Sequence, residues 1–200
     1  MDIILASNSP RRRELLGQMG IKGFKVAAPD VDETVEGNLH PAQIVEELSL
    51  RKAKAAAAKN DGDGLIIAAD TVVALEGAVL GKPHSEEDAF SMLSALSGNR
   101  HDVYTGVTVM LGGRVVTEHE RTTVTFRDVE PEEILAYIAT GEPMDKAGAY
   151  GIQGYGCVLV EGIVGDYYNV MGLPVCRLAR MLSRFGVAPL AMAAEKEQKA

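Results

Sequence analysis

The chain carries one uninterrupted apolar run, Leu65-Ile66-Ile67-Ala68-Ala69-Asp70-Thr71-Val72-Val73-Ala74-Leu75, in which only Asp70 and Thr71 are not aliphatic. A half-exposed strand alternates apolar and polar residues, and this run does not. It is therefore read as a strand buried within a sheet. An ionised carboxylate buried without partners costs several kcal/mol, so it is normally paired, hydrogen-bonded or bound to a metal. Asp70 is accordingly the first candidate functional residue, with Thr71 beside it. The same aspartate would serve as an N-cap or turn residue if the strand stopped there.

Around this run, helical and strand patterns mix. A strand is predicted over Ile3–Ala6, then a helix to about Met19 with Ser9 as N-cap and Pro10 at its first position. Phe24–Ala27 reads as a strand, and Pro29–Pro41 as a polar loop with Asp30, Asp32, Glu33 and Glu36. A long helix is expected over Ala42–Lys59, and an Asp61-Gly62-Asp63-Gly64 turn leads into the apolar run. Glu76-Gly77 suggests a hairpin turn, and Ser85 a cap for a helix to about Ser97. Val103–Leu111 and Arg114–Phe126 read as a hairpin closed at Gly112-Gly113. A helix from Pro131, a strand at Val158–Val160, a short hairpin at Gly165-Asp166 and a last helix over Leu173–Phe185 complete the pattern. The fold class is α/β (α+β mixed) with a mixed sheet. The tail from Ala188 is expected to fray.

With 200 residues, the chain can form one sizeable domain or two lobes sharing a core. A net charge of −8 argues against a nucleic-acid or membrane-surface binder, since either needs a broad basic face. No segment reaches the roughly 20 apolar residues of a membrane span. Met1-Asp2-Ile3-Ile4-Leu5 reads as a strand and not as a signal peptide. Cys157 and Cys176 form no CxxC motif and no disulfide framework. These features predict a cytoplasmic protein.

Within this acidic chain, cations in unusual places imply a small anionic ligand. In Ser7-Asn8-Ser9-Pro10-Arg11-Arg12-Arg13, three arginines open a helix whose N-terminus disfavours positive charge. A bound phosphate would compensate, as would ion pairing to a nearby carboxylate. Helical phase puts Arg11 and Arg12 near the face of Leu15, Leu16 and Met19, and turns Arg13 outward. On the long helix, Lys52 falls within the stripe of Ile44, Val45, Leu48 and Ala55, while Lys54 falls opposite. Such a lysine either snorkels to water or reaches a buried anion. Lys82 follows a tight turn in Gly77-Ala78-Val79-Leu80-Gly81-Lys82-Pro83, which lacks the spacing and the Ser or Thr of a P-loop.

Other signals are weaker. The four histidines show no metal-ligand spacing, and the glycines of residues 151–156 are not a dinucleotide fingerprint. Together, Asp70 and Glu33 could hold a divalent ion, and Arg11, Arg12, Lys52 and Lys82 a polyphosphate. One or two carboxylates plus substrate phosphates suit Mg²⁺. The combination points to phosphoryl or pyrophosphoryl chemistry on a nucleotide.

Residues 5–16, opening Leu5-Ala6-Ser7-Asn8-Ser9-Pro10-Arg11-Arg12, resemble the first motif of the Maf proteins, nucleoside triphosphate pyrophosphatases. Ala68-Ala69-Asp70-Thr71-Val72-Val73, Gly81-Lys82-Pro83, Leu96-Ser97-Gly98 and Gly165–Pro174 match later motifs in order. Glu142–Gly154 resembles the branch that acts on dTTP and UTP, not the related 7-methyl-GTP branch. The resemblance implies a fold similar to the inosine-triphosphate pyrophosphatases: an elongated mixed sheet with flanking helices, and two lobes around a deep cleft. It implies a single catalytic domain over residues 1–187, with 188–200 as a flexible tail. The implied reaction converts a nucleoside triphosphate and water to the monophosphate and pyrophosphate, with Mg²⁺ or Mn²⁺ as cofactor, in a homodimer. Family positions carry over onto Ser7, Arg11, Arg12, Glu33, Lys52, Asp70, Lys82 and Gln153. In that picture Glu33 and Asp70 bind metal, and Asp70 is the base. Ser7, Arg11, Arg12, Lys52, Lys82 and Gln153 bind substrate, and Thr71, from its place beside Asp70, is added to them as a substrate-binding candidate. Gln153 offers a donor and an acceptor to O4 and N3–H of thymine or uracil. The alternative functions are a non-catalytic nucleotide-binding regulator of division and septum formation, and an enzyme acting on modified nucleotides.

Overall fold

The computed structural model describes the chain apart from residues 36, 38, 61–63 and 198–200, and side chains up to residue 194. Glu36 of the predicted acidic loop, most of the predicted Asp61–Gly64 turn and the end of the tail lie outside the described residues. In order, the elements are β1 (Ile3–Leu5), α1 (Pro10–Gln18), β2 (Lys25–Val26), α2 (Pro41–Lys59), β3 (Leu65–Leu75), β4 (Ala78–Leu80) and α3 (Glu86–Leu96). There follow β5 (Arg100–Leu111), β6 (Arg114–Phe126), α4 (Pro131–Ile138), β7 (Val160–Val164), α5 (Tyr167–Met171), α6 (Val175–Ser183) and α7 (Pro189–Glu197). The sheet has seven strands in the order β2-β1-β3-β5-β6-β7, with β4 paired to β3. It is mixed: β1 is parallel to β2 and β3, whereas β3–β4 and β6–β7 are antiparallel.

Two compact units divide the chain. One comprises residues 1–70, 105–120 and 172–200, the other 71–104 and 121–171. The divisions fall inside β3, β5 and β6, so each long strand contributes residues to both units.

In the first unit, Ile4 pairs with Ile66 in register. Ile4, Ala6, Ile66 and Ala68 bury one sheet face with Ala53 and Ala56 of α2 and Met110 of β5. Alternation puts Asp70 on this same face, two residues beyond Ala68. The approach of α2 to β5 is close. A Cβ at Gly106 would lie 2.2 Å from the carbonyl oxygen of Val45. One step further on each element, the Ser49 and Thr108 hydroxyls meet at 2.9 Å. The buried stripe of α2 therefore runs through Val45, Leu48, Ser49, Ala53 and Ala56. It is rotated from the predicted stripe, because Ser49 finds a hydroxyl partner inside and small alanines allow contact. Lys52 consequently sits at the stripe's edge, and Lys54 is exposed as predicted.

The second unit packs α3 against α4 and the turns that follow it. Ser85 caps α3, its hydroxyl accepting from the Asp88 N–H at 3.2 Å. Residues 142–159, read only as glycine-rich from the sequence, form three 3₁₀ turns, Glu142–Asp145, Ala147–Ala149 and Tyr155–Leu159. The expected Val158–Val160 strand and its short hairpin are instead β7, paired to β6, followed by α5. Asp166 stops the strand by accepting the Tyr168 N–H at 2.8 Å. The predicted final helix starts later, at Val175, because Pro174 cannot continue a helical ladder. Beyond it, Pro189–Glu197 is helical, with Ala193 and Pro189 against Gly20. Among the described residues, no helix is long and apolar enough to cross a membrane.

Candidate active site

Asp70 is the sixth residue of an eleven-residue strand, and it is buried. The strand continues past it to Leu75, which removes the cap and turn readings. From α2, Lys52 reaches it: Nζ lies 2.5 Å from Asp70 Oδ1 and 2.6 Å from Glu33 Oε1. The Lys52 side chain is only 14% exposed, so it reaches a buried anion and does not snorkel to water. One ammonium thus gathers the two carboxylates that the sequence singled out from a loop and a strand.

Glu33 is held from both sides. Arg51, next to Lys52, donates from Nη1 to the carbonyls of Asp32 at 3.1 Å and Thr34 at 2.7 Å. Asp32 Oδ1 accepts the Thr34 N–H at 2.8 Å, closing a local turn. That N–H also holds the Asp32 carboxyl below its ordinary pKa. Arg51 is a clamp that the sequence reading missed. Its spacing from Glu47, with which it pairs, is that of an ordinary exposed helix pair.

The β1–α1 turn supplies the anion-binding features. Ser7 is buried, and its Oγ accepts the Ser9 N–H and Arg12 Nη1, each at 3.2 Å. Arg12 Nε donates to the Gly172 carbonyl at 2.8 Å, a contact the sequence could not announce. Burial pulls the Arg12 pKa below its ordinary value, the Asp70 and Glu33 charges opposing and Arg11 reinforcing the effect. Arg11 is half-buried; Arg13 is exposed and bonds the Asn8 carbonyl, as helical phase predicted. Ser9 has cap geometry but makes no side-chain cap, and the first turn holds no acidic residue. The α1 N-terminus therefore offers backbone donors beside Ser7, Arg11 and Arg12.

Thr71, Lys82 and Gln153 belong to the second unit. Thr71 and Gln153 are half-buried, and Lys82 is exposed after β4. The loops of Lys82 and Gln153 are linked, since the Gly148 N–H donates to the Gly81 carbonyl at 3.0 Å.

Among the described residues, no group of three or more His, Cys, Asp or Glu forms a metal site. Glu33 and Asp70 nevertheless fit a hard divalent cation. Their oxygens already converge on one positive charge, and two carboxylates suit an ion that keeps water and phosphate in its remaining positions.

Comparison with known proteins identifies relatives along nearly the whole chain. A protein of Moorella thermoacetica named dTTP/UTP pyrophosphatase is 53% identical over 187 residues, covering 92% of this chain and 95% of that protein. One of the same name from Bacillus cereus is 50% identical over 185 residues, covering 92% and 90%. Among solved structures, the Staphylococcus aureus Ham1 protein superposes with a TM-score of 0.49 at 18% identity, over 78% of each chain. The family model described as Maf-like protein matches residues 2–185, from β1 through α6. Spanning both units and every candidate site residue, that match establishes that the chain belongs to the Maf family.

Proposed function

We propose that the chain hydrolyses dTTP and UTP to the nucleoside monophosphate and pyrophosphate. The observation that carries this reading is the pair of carboxylates, Asp70 and Glu33, converging on Lys52 at 2.5 and 2.6 Å. The name shared by the relatives at 53% and 50% identity supports the substrate class.

Asp70 takes a proton from the attacking water, for which a rigid strand position suits it. The water oxygen bonds to the α-phosphorus, the bond from that phosphorus to the α–β bridging oxygen breaks, and pyrophosphate leaves. Arg11, Arg12, Lys52 and Lys82 balance the triphosphate charge and the charge that builds on the leaving group. Ser7 and the α1 amides hold a phosphate oxygen, and Thr71 contributes beside Asp70. Glu33 and Asp70 would hold a divalent cation, Mg²⁺ or Mn²⁺, which would supply further neutralisation of the phosphates. Gln153 reads the pyrimidine edge. Cytosine reverses the donor–acceptor pattern at that edge, whereas the thymine methyl alters only apolar contact. The enzyme is proposed to work as a cytoplasmic homodimer.

The test is pyrophosphate release from dTTP by wild type and Asp70→Asn, with Mg²⁺ or Mn²⁺. Loss of a general base lowers turnover by roughly 10²–10⁴-fold. Near wild-type turnover in Asp70→Asn would overturn the assignment.

A further inference from the structure

Residues 151–156 carry Gln153, and two side chains fix this segment from below. Tyr137 of α4 is buried, and its Oη accepts the Gly151 N–H at 3.1 Å. The same hydroxyl donates to Glu142 Oε1 at 2.8 Å. Glu142 in turn accepts the Tyr155 N–H at Oε2, 2.9 Å, and the Gly156 N–H at Oε1, 3.0 Å. Gln153 lies between the amide pinned by Tyr137 and the two pinned by Glu142.

The backbone is shaped for these contacts. Gly154 has φ +110°, and a Cβ there would sit 2.4 Å from Glu142 Oε2. A Cβ at Gly156 would sit 2.7 Å from the Tyr137 hydroxyl. Upstream, Ala149 holds a left-handed φ of 57°, disfavoured for an L-residue and maintained only where surroundings enforce it. Lys146 Nζ donates to the Glu142 carbonyl at 2.6 Å, closing the turn from the other end. Burial pushes the Glu142 carboxyl upward. The N–H groups of Gly156 and Tyr155, the Tyr137 hydroxyl and the Lys146 charge outweigh it and hold the pKa below its ordinary value.

A glutamine is a poor discriminator unless its orientation is fixed. Its amide turned by half a rotation presents the reversed pattern, which matches cytosine. The amide must also lie at a fixed place along the pyrimidine edge, and that placement comes from the backbone that carries it. We infer that Tyr137 and Glu142 are positioning residues for base selection: they hold residues 151–156 so that the Gln153 amide is placed at the pyrimidine edge. This rests on the dTTP/UTP reading and on the role of Gln153 proposed above.

The experiment measures kcat and KM for dTTP, UTP and CTP with wild type, Tyr137→Phe, Glu142→Gln and Gln153→Ala. Tyr137→Phe keeps the ring and removes one oxygen, and Glu142→Gln keeps the shape while setting an amide donor against a backbone N–H. Each is expected to lower the dTTP:CTP ratio of kcat/KM by roughly tenfold, the effect of one or two lost charge-assisted bonds. The change should sit in KM, with kcat for dTTP held within about twofold. A purely structural role would lower activity on all three nucleotides alike and leave the ratio intact. That result, with Gln153→Ala still relaxing selectivity, overturns the positioning role and leaves the substrate reading standing. An unchanged ratio in Gln153→Ala overturns the role of Gln153 and the positioning role with it, and a wild type that releases no pyrophosphate from dTTP overturns the substrate reading as well.

Discussion

Acidification should destabilise this protein through one buried imidazole. His101 is 3% exposed, at the start of β5. Its Nε2 lies 2.8 Å from the Tyr150 hydroxyl, and its ring meets Phe126 and Tyr150 edge to face. Nδ1 finds no hydrogen-bond partner among the described residues. We assign the ring proton to Nε2, since an orphaned acceptor costs less than an orphaned donor. A second proton would have to sit on Nδ1, buried and unbonded. Burial accordingly pushes the imidazole down from 6.5 to about 4, against a smaller upward pull from Asp102. Unfolded, His101 binds a proton near its ordinary value; folded, it resists until much lower pH. Between those values the unfolded state holds more protons, so stability rises with pH there. The contribution is complete above pH ~6.5, shrinks as pH falls, and levels off below pH ~4. From about pH 7.5 to about pH 4.5 the loss is about 2.5 kcal/mol, out of a limiting ~3 kcal/mol. Urea unfolding followed by far-ultraviolet circular dichroism at both pH values, in wild type and His101→Phe, measures it. Carboxylates contribute alike to both proteins, so the difference between their pH dependences isolates His101. Coincident pH dependences would refute the reasoning, as would an imidazole that titrates near its ordinary value in the folded protein by NMR.

Glycine replacement provides a paired test of packing. Gly106→Ala drives a methyl to 2.2 Å from the Val45 carbonyl oxygen, which is backbone and cannot swing away; a loss of at least about 3 kcal/mol in chemical denaturation is expected. Gly17→Ala, inside α1 with nothing within 4 Å, should instead stabilise by roughly 0.5–1 kcal/mol. Lys52→Met removes the ammonium from Asp70 and Glu33. Mn²⁺ titration by EPR without nucleotide should then give roughly tenfold tighter binding, alongside reduced pyrophosphate release. Unchanged or weaker Mn²⁺ binding would show that Lys52 does not compete for that position.

What the sequence revealed about this site depended on whether a residue's job leaves a local trace. Asp70 was legible because a carboxylate interrupts an aliphatic run, and the run folds as the buried strand β3. Helical phase sorted Arg13 from Arg12 and Lys54 from Lys52, since both helices are regular there. For Lys52 the sequence leaves snorkelling and anion contact open, because helical phase does not show which anions lie across from it. Phase also misplaced the edge of the α2 stripe. A serine counts as polar in sequence, yet Ser49 is buried through its bond to Thr108, fifty-nine residues away.

Supporting residues leave no such trace. Arg51 looks like half of an i,i+4 pair with Glu47, and its bonds to the Asp32 and Thr34 carbonyls are made with backbone that every sequence has. Glu142 is similar: besides the Tyr137 hydroxyl it accepts the N–H groups of Tyr155 and Gly156, which no side-chain pattern records. Glycine spacing around Gln153 matches no dinucleotide fingerprint, and only family resemblance points to this residue. The glycines around it were nevertheless the visible signal, because Gly154 and Gly156 mark where a Cβ would strike Glu142 and Tyr137. In this chain the charged site candidates are legible as charges out of place, and Tyr137 and Glu142 are legible only as missing side chains on the segment they hold.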